Sequence, residues 1–343
     1  MEEKDLSWRM EKALLLCTIA EVGMAIIITG SLAYDNILKF PGFFKEHILP
    51  DKIEKLNVSF LVDSMKKLRG GCAANIAYSL ALLGKRPHVM GTVGEDFGEF
   101  RTWMEAQGIE TSLIKVIPGE YTASCFITTD RSSNQITGFY AGAMASAHTL
   151  SFHELKNEKV EIAIISPNDP GAMVKYCREC REASIPFIFD PGHQIPRLEP
   201  EQILENIRGS RFTIQNDYEL DMILHKTGKS EQELLEITGG LIVTKGSQGS
   251  FIKTKEQTYS IPPVTPRIVA DPTGAGDAYR SAIIMGILCG LDFMAMGKLA
   301  SLVATYVVEV CGTTEHHFTF QELKARYEQV FGEALPMPVP GEG

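Results

Sequence analysis

Short apolar runs alternate with amphipathic segments along most of the chain. The apolar runs, each followed by a turn or a polar group, are AIIITG, HVMGTVG, IAIISP, FIFDP, RFTIQN and GLIVTKG. Between these runs, helical spacing of apolar residues predicts helices over 72–84, 95–107, 169–183, 199–207 and 217–225. Strand–helix alternation of this kind predicts an α/β fold with a mostly parallel central sheet and helices on both faces.

Two stretches break the alternation. Residues 35–69 contain no convincing helix, and residues 110–141 hold β-rich runs separated by turn residues. We expect strands from these two stretches to pair into a small β-sheet outside the main domain. Such a sheet would serve as a lid over a bound substrate.

The two ends of the chain are expected to lie outside the folded domain, which we place at 23–332. Residues 1–22 precede the first predicted strand and form an N-terminal extension, while the Pro- and Gly-rich residues 333–343 form a flexible tail. The apolar stretch before the first strand is interrupted by Glu21 and Gly23. It therefore predicts neither a membrane span nor a secretory signal.

Charge and cysteine content narrow the function classes. The net charge of −10 argues against a nucleic-acid partner or an anionic membrane partner. Seven scattered cysteines suit a reducing cytoplasm better than a disulfide framework. Cys177 and Cys180 form one C-x-x-C, but no second ligand pair accompanies them, so we interpret them as two helix cysteines rather than a zinc site.

The stretch DPTGAGDAYRS, residues 271–281, carries the strongest chemical signal. Apolar residues follow Asp277 at helical spacing, so Gly274, Ala275 and Gly276 lie at a helix N-terminus, where unpaired N–H groups attract anions. A carboxylate beside an anion site is a poor phosphate ligand but a suitable general base for an attacking hydroxyl. The alternative is that Asp277 only caps the helix.

Three further motifs each have a functional and a structural interpretation. In RGGCAANIAYS, Gly70 and Gly71 allow close approach of a ligand near Asn75, or they form an ordinary helix entry. The glycine-rich TKGSQGS at 244–250 is a weak nucleotide-loop signal. In NDYE, Asn216 and Glu219 can face one site and hold the water shell of Mg²⁺, or they form a helix cap.

The carboxyl edge of the predicted sheet is the expected position of the site. Polar residues that follow predicted strands are Asp35, Asn168, Asp190, Asn216 and Lys245. The chain has no P-loop motif and lacks the protein-kinase signatures. A G-x-G-x-x-G after the first strand is also absent, which disfavours an NAD-dependent oxidoreductase.

The order of these motifs resembles the PfkB, or ribokinase-like, sugar and nucleoside kinases. Gly-Gly with Asn75, N-x-x-E, T-x-G-x-x-G and D-x-T-G-A-G-D follow one another as in that family, from Met24 to about residue 330. The segments GSLAYDNILKFPGFF, SFLVD, FYAGAM and SLVATYVVEVCGTTE are similar to the bacterial adenosine kinases of the mycobacterial type.

The resemblance implies a role for each matching residue. Asp277 would be the catalytic base, with Gly274, Ala275 and Gly276 as the anion hole. Residues implied in substrate binding are Ser31, Asp35, Ser59, Gly70, Gly71, Asn75 and Phe139, with Asp35 on two ribose hydroxyls and Phe139 stacking on the purine. Residues implied in ATP binding are Asn216, Thr244, Lys245, Gly246, Gly249 and Gly276, and Asn216 and Glu219 would organise Mg²⁺.

Two base-facing positions depart from the mycobacterial pattern. Cys125 stands where those enzymes place a second stacking phenylalanine, and His193-Gln194 stands where they carry Gln-Gln. These departures put the purine preference in doubt and leave the phosphoryl-transfer residues unchanged.

The function implied is ATP- and Mg²⁺-dependent phosphorylation of the 5′-hydroxyl of adenosine to AMP. A ribokinase-like sugar kinase and a broader nucleoside kinase are the alternatives in the same family. A non-catalytic sensor on this fold is the alternative from another class, and Asp277 argues against it. The resemblance also leaves open a monovalent cation such as K⁺ and a homodimer through the lid.

Overall fold

The computed structural model describes residues 24–48, 54–55, 57–155 and 159–337. The predicted extension, residues 1–22, lies outside them. Of the predicted tail, residues 338–343 also lie outside, whereas Leu335 and Met337 are buried against the main core.

Most strands of the described chain belong to one large sheet. Its strands are β1 (Met24–Thr29), β4 (His88–Val93), β5 (Ile114–Val116), β8 (Lys159–Ile165), β9 (Phe187–Phe189), β10 (Phe212–Asn216), β11 (Leu241–Thr244), β12 (Ser250–Lys253) and β13 (Thr258–Ile261). They are arranged in the order β13-β12-β11-β10-β9-β8-β1-β4-β5. All neighbours pair in parallel except the β11–β12 and β12–β13 pairs, which are antiparallel at one edge.

Both faces of the large sheet are covered by helices, as the strand–helix alternation predicts. The helices are α1 (Phe44–His47), α2 (Cys72–Leu82), α3 (Gly98–Ala106), α4 (Pro170–Glu182), α5 (Pro200–Ile207), α6 (Asp217–Thr227), α7 (Glu231–Leu235), α8 (Ala275–Leu288), α9 (Phe293–Val308) and α10 (Phe320–Phe331). Alternate residues of β1 enter opposite clusters: Ile26 and Ile28 pack with α2 and α8, and Ile27 packs with α4. Two-sided burial explains why β1 is apolar from Met24 to Ile28.

The expected small sheet is present and stands apart from the large one. Its strands are β2 (Ala33–Lys39), β3 (Ser64–Gly70), β6 (Ala123–Thr129) and β7 (Gln135–Tyr140), in the order β3-β2-β6-β7. Its position makes it lid-like, which confirms the predicted fold class.

Details of the two insertions differ from the sequence-based expectations. The stretch 35–69 does contain a short helix, α1, whose first residue, Phe44, is buried. The short strand β5 arises from the second insertion but pairs with β4 at the edge of the large sheet. Such short elements are set by tertiary pairing, so their local sequence carries little signal.

Candidate active site

Helix α8 begins with the glycine turn. Gly274 has φ +85°, and a Cβ there would lie 3.0 Å from the side chain of Thr313. The Ala275 N–H donates to the carbonyl of Pro272 at 3.2 Å, so it closes the turn. Gly276 and Asp277 occupy the first helical turn, where N–H groups have no intrahelical acceptor. These two groups can therefore receive an anion.

Asp277 meets helix α2 at this turn. Asn75 Nδ2 donates to Asp277 Oδ2 at 2.8 Å, and the thiol of Cys72 also hydrogen-bonds the carboxylate. Burial raises the pKa of Asp277 to about 6, although Arg280, Asn75 and Cys72 each lower it; Asp190 raises it further. A carboxyl group with this pKa is well matched to proton abstraction near neutral pH.

The entry to α2 is built so that backbone and ligand can come close. Gly71 has φ +93°, and a Cβ there would overlap the carbonyl oxygen of Ser31. Ser31 Oγ in turn accepts the N–H of Cys72 at 3.1 Å. The Oδ1 atom of Asn75 is buried and has no hydrogen-bond partner among the described residues. An unsatisfied buried acceptor at this position suits a hydroxyl donor from a substrate.

Asp35 lies within strand β2 of the lid rather than directly after the first strand. A Cβ on Gly70 would overlap its carboxylate, so the glycine makes room for it. Burial raises the pKa of Asp35, and the negative charge of Asp271 adds to the effect. Asp35 itself is half-buried in the lid.

Asp35, Cys125 and Phe139 form one row across the lid. Asp35 pairs with Cys125, and Cys125 pairs with Phe139 on the next strand. Directly opposite residues share a face, and two strand spacings separate the ends of this row by about 10 Å. The ring of Phe139 is 53% exposed. The row thus places a carboxylate and an open aromatic ring on the same side of the lid.

Other predicted substrate residues are less central. Ser59 is exposed and makes no hydrogen bond within the described ranges. His193 is exposed. Gln194 is buried, and its Oε1 accepts a hydrogen bond from Arg197 at 3.2 Å. Among the described residues, no hydrogen bond therefore joins Ser59 to the carboxylates of the site.

A cavity of about 510 Å³ opens on the other side of the anion turn. Four of the predicted ATP-site residues line it: Thr244, Gly246, Gly249 and Gly276. Apolar side chains complete the walls: Pro263, Val264, Pro266, Val269, Tyr279 and Val308. Lys245 does not line the cavity. Its Nζ lies over the Phe251 ring instead, 5.0 Å from the ring centre. A cavity with these walls can hold a nucleobase and ribose.

Asn216 and Glu219 form a reciprocal helix cap. Asn216 Oδ1 accepts the N–H of Glu219 at 2.7 Å, and Glu219 Oε2 accepts the N–H of Asn216 at 2.8 Å. Burial raises the pKa of Glu219, with Asp190 adding to the rise. The described residues contain no cluster of three metal-ligating side chains. Glu219 Oε1 stays outside the cap, so the pair fits Mg²⁺ held through water rather than a direct protein cage.

Two residues of the site, Cys72 and Arg280, have no role in the sequence-based interpretation, and Asp190 enters it only as a polar residue after a predicted strand. Cys72 touches Asp277, and Arg280 forms a buried ion pair with Asp190, with Nε 2.5 Å from Oδ2 and Nη2 2.6 Å from Oδ1. The signal for Arg280 is present in the sequence. It is an arginine in the otherwise apolar α8, and a buried arginine requires a partner.

The described residues also bear on two broader expectations. No described helix is both long enough and apolar enough to span a membrane. Cys177 and Cys180 are buried on α4, and burial raises the pKa of both thiols. A buried thiol of this kind is unreactive.

Comparisons with known proteins define the class. A nucleoside kinase of Methanocaldococcus jannaschii is 31% identical over 281 residues, covering 81% of this chain and 92% of the relative. The structure is similar to that of a Burkholderia thailandensis nucleoside kinase in complex with inosine, with 39% identity, a TM-score of 0.81, and coverage of 90% of this chain and 99% of that one. The same enzyme in complex with ADP-inosine gives a TM-score of 0.79 at 39% identity, covering 93% and 99%.

Fold and site together are those of a ribokinase-like enzyme that transfers a phosphoryl group to an alcohol. Residues 44–318 match the family described as pfkB family carbohydrate kinase, and the chain belongs to that family. Nucleoside kinases are among its similar relatives. The closer resemblance to mycobacterial adenosine kinases stays a prediction.

Proposed function

We propose that this enzyme transfers the γ-phosphoryl group of ATP to the 5′-hydroxyl of adenosine and accepts other purine nucleosides, inosine included. The observation that carries the proposal is the pair formed by Asp277 and Asn75. Asp277 has a raised pKa, and Asn75 holds it through Nδ2 while its own Oδ1 is buried without a described partner. A substrate that presents its reacting hydroxyl to Asp277 and donates from a second hydroxyl to Asn75 Oδ1 would satisfy both acceptors.

In the proposed reaction, Asp277 removes the proton of the 5′-hydroxyl as its oxygen bonds to the γ-phosphorus. The bond from that phosphorus to the bridging oxygen breaks, and ADP leaves. The N–H groups of Gly276 and Asp277 receive the charge on the transferring group. Mg²⁺, when bound with ATP, neutralises phosphate charge. Asn216 and Glu219 would hold its water shell.

The lid supports a nucleoside over a free sugar. Asp35 can accept the two ribose hydroxyls, and Phe139 lies in the same row at about the distance that separates a ribose from the far edge of its base. Closure of the lid over the base would bury the exposed Phe139 ring and exclude water from the phosphoryl acceptor. A free sugar would leave that ring without a partner.

Broad base acceptance is favoured by Cys125. It sits between Asp35 and Phe139 where a second aromatic wall would stand, so the base has a ring on one side only. The relative from Burkholderia thailandensis has been captured with inosine, which shows that a similar chain holds a base other than adenine. We therefore include inosine among the expected substrates.

The test is ADP release with adenosine, inosine, guanosine, cytidine, ribose and fructose as acceptors. We expect the purine nucleosides to give the highest kcat/KM. Faster turnover of ribose or fructose than of any nucleoside would replace the proposal by the sugar-kinase alternative. The proposal includes a cytoplasmic location. It leaves open a monovalent cation such as K⁺ and a homodimer through the lid, and sedimentation with and without nucleoside tests the homodimer.

A further inference from the structure

Arg280 lies at the meeting point of the two halves of the site. It is 9% exposed, its Nη2 donates a hydrogen bond to Asp190 at the end of β9, and its Nε lies 2.5 Å from the other oxygen of that carboxylate. The same guanidinium interacts electrostatically with Asp277 on its own helix and with Glu219 in the first turn of α6. Asp277 belongs to the side of the site that would hold the acceptor hydroxyl, and Glu219 belongs to the side predicted to hold Mg²⁺.

The free end of the guanidinium reaches the anion turn. A Cβ built on Gly276 would lie 2.7 Å from Arg280 Nη1. Arg280 follows Gly276 by four residues, and side chains on a helix lean toward its N-terminus, so this close approach is expected. Nη1 makes no hydrogen bond to any described residue, whereas Nη2 is committed to Asp190. Two N–H donors at the anion turn therefore remain available.

We propose that Arg280 is a catalytic residue whose Nη1 donates hydrogen bonds to the phosphoryl group during its transfer, with Asp190 holding the guanidinium in place. This inference rests on the proposed function, since it adds a third donor to the same anion hole. Arg280 exchanges no proton in the reaction. Its pKa is raised above its ordinary value by Asp190 and Asp277, so it stays positively charged throughout.

Charge balance gives a physical reason for this arrangement. Asp190, Asp277 and Glu219 would present three negative charges to an incoming triphosphate, which like-charge repulsion opposes. A single fixed guanidinium among them offsets part of that repulsion without reorganising during the reaction. Arginine suits the position because its planar fork binds one carboxylate with two nitrogens and leaves the third for another anion.

The test uses Arg280→Met, Asp190→Asn and the double variant that carries both. Loss of Arg280 alone leaves a buried charge on Asp190, so this single variant can lose activity through poor folding. The double variant removes both charges and retains a neutral pair. If Arg280 contacts the transferring group, the folded double variant should have kcat lowered roughly 10²–10³-fold, the usual effect of one oxyanion donor. Recovery of near wild-type kcat in the double variant would show that Arg280 only neutralises Asp190.

A binding measurement gives a second, independent result. With adenosine present, calorimetry compares ADP alone with ADP plus fluoroaluminate, which resembles a transferring phosphoryl group. We expect the double variant to bind ADP as the wild type does, but to lose the gain in affinity that fluoroaluminate gives the wild type. An unchanged gain would overturn the proposal.

Arg326 provides the matched control. It is also buried and makes two hydrogen bonds to one carboxylate, Glu309, at 2.9 and 2.6 Å. Arg326→Met should lower stability without lowering kcat or the fluoroaluminate effect.

Failure of the nucleoside proposal is distinguishable from failure of the Arg280 proposal. In the first case the wild-type enzyme would fail to phosphorylate any nucleoside, whatever the Arg280 variants do.

Discussion

The raised pKa of Asp277 predicts how activity depends on pH. The base must be ionised to accept a proton, so kcat/KM for the nucleoside should fall as pH falls through about 6. A group with a pKa of about 6 loses about tenfold in its ionised fraction between pH 7 and pH 5. A carboxyl group at its ordinary value of 3.8 would lose only about 6% over the same range.

Asn75 allows the assignment to be tested, because its hydrogen bond favours the ionised form of Asp277. Asn75→Leu removes the donor at similar volume. A hydrogen bond to a charged group contributes about 1.5–3 kcal/mol, and one pKa unit corresponds to about 1.4 kcal/mol, so the acid limb should move upward by about one to two units. We expect this shift in addition to weaker substrate binding.

The assay measures kcat/KM for adenosine between pH 4.5 and 8.5 at saturating ATP and Mg²⁺. ATP has a titrating phosphate of its own, but that titration is common to all variants, so the comparison isolates the enzyme group. Asn134→Leu is the matched control. Asn134 also donates to an aspartate, Asp130, at 3.1 Å, but it lies in the lid turn between β6 and β7. An acid limb that stays in place in Asn75→Leu, or lies near pH 4 in the wild type, would refute the reasoning.

Four further predictions follow from the same geometry. Asp277→Asn should lower kcat by roughly 10²–10⁴-fold. The same variant should melt at a higher temperature than the wild type at pH 8 but not at pH 4, because the ionised form of Asp277 destabilises the folded wild type only where the carboxyl group is ionised. Phe139→Ala should raise KM for adenosine by about 5- to 150-fold and leave ribose unaffected, as judged from steady-state kinetics. Glu219→Gln should raise the Mg²⁺ concentration that gives half-maximal activity. Gly71→Ala should lower the free energy of unfolding by more than about 2 kcal/mol in urea, and by more than Gly108→Ala, whose added methyl group meets no atom within 4 Å.

Much of the architecture could be predicted because local and global signals agree. The apolar runs of the large sheet are buried on both faces, and each predicted helix coincides with a described helical segment within a few residues. The sequence places the run that forms β5 in the small sheet instead of at the edge of the large one, and it does not predict the antiparallel edge strands β12 and β13. These are short, and their positions depend on partners distant in sequence rather than on their own pattern.

The sequence predicts site residues reliably only where a motif residue is required by the backbone conformation. Gly71 and Gly274 both have positive φ, which is the physical reason for glycine at those positions. The position of Lys245 against Phe251 could not be foreseen, since a side chain after a strand can point into a cavity or away from it. Contacts between α2 and α8, such as that of Asn75 with Asp277, join residues about 200 positions apart and are set by the packing of the helices.

The most direct test of the central claim identifies the phosphorylated product. Wild-type enzyme and Asp277→Asn would each be incubated with ATP, Mg²⁺ and adenosine or inosine, and the products followed by ³¹P NMR. We predict the 5′-monophosphate and ADP in equal amounts from the wild type, and a rate at least about 100-fold lower from the folded variant. Formation of 5′-monophosphate at the same rate by Asp277→Asn, or no phosphorylated nucleoside from the wild type, would contradict the account.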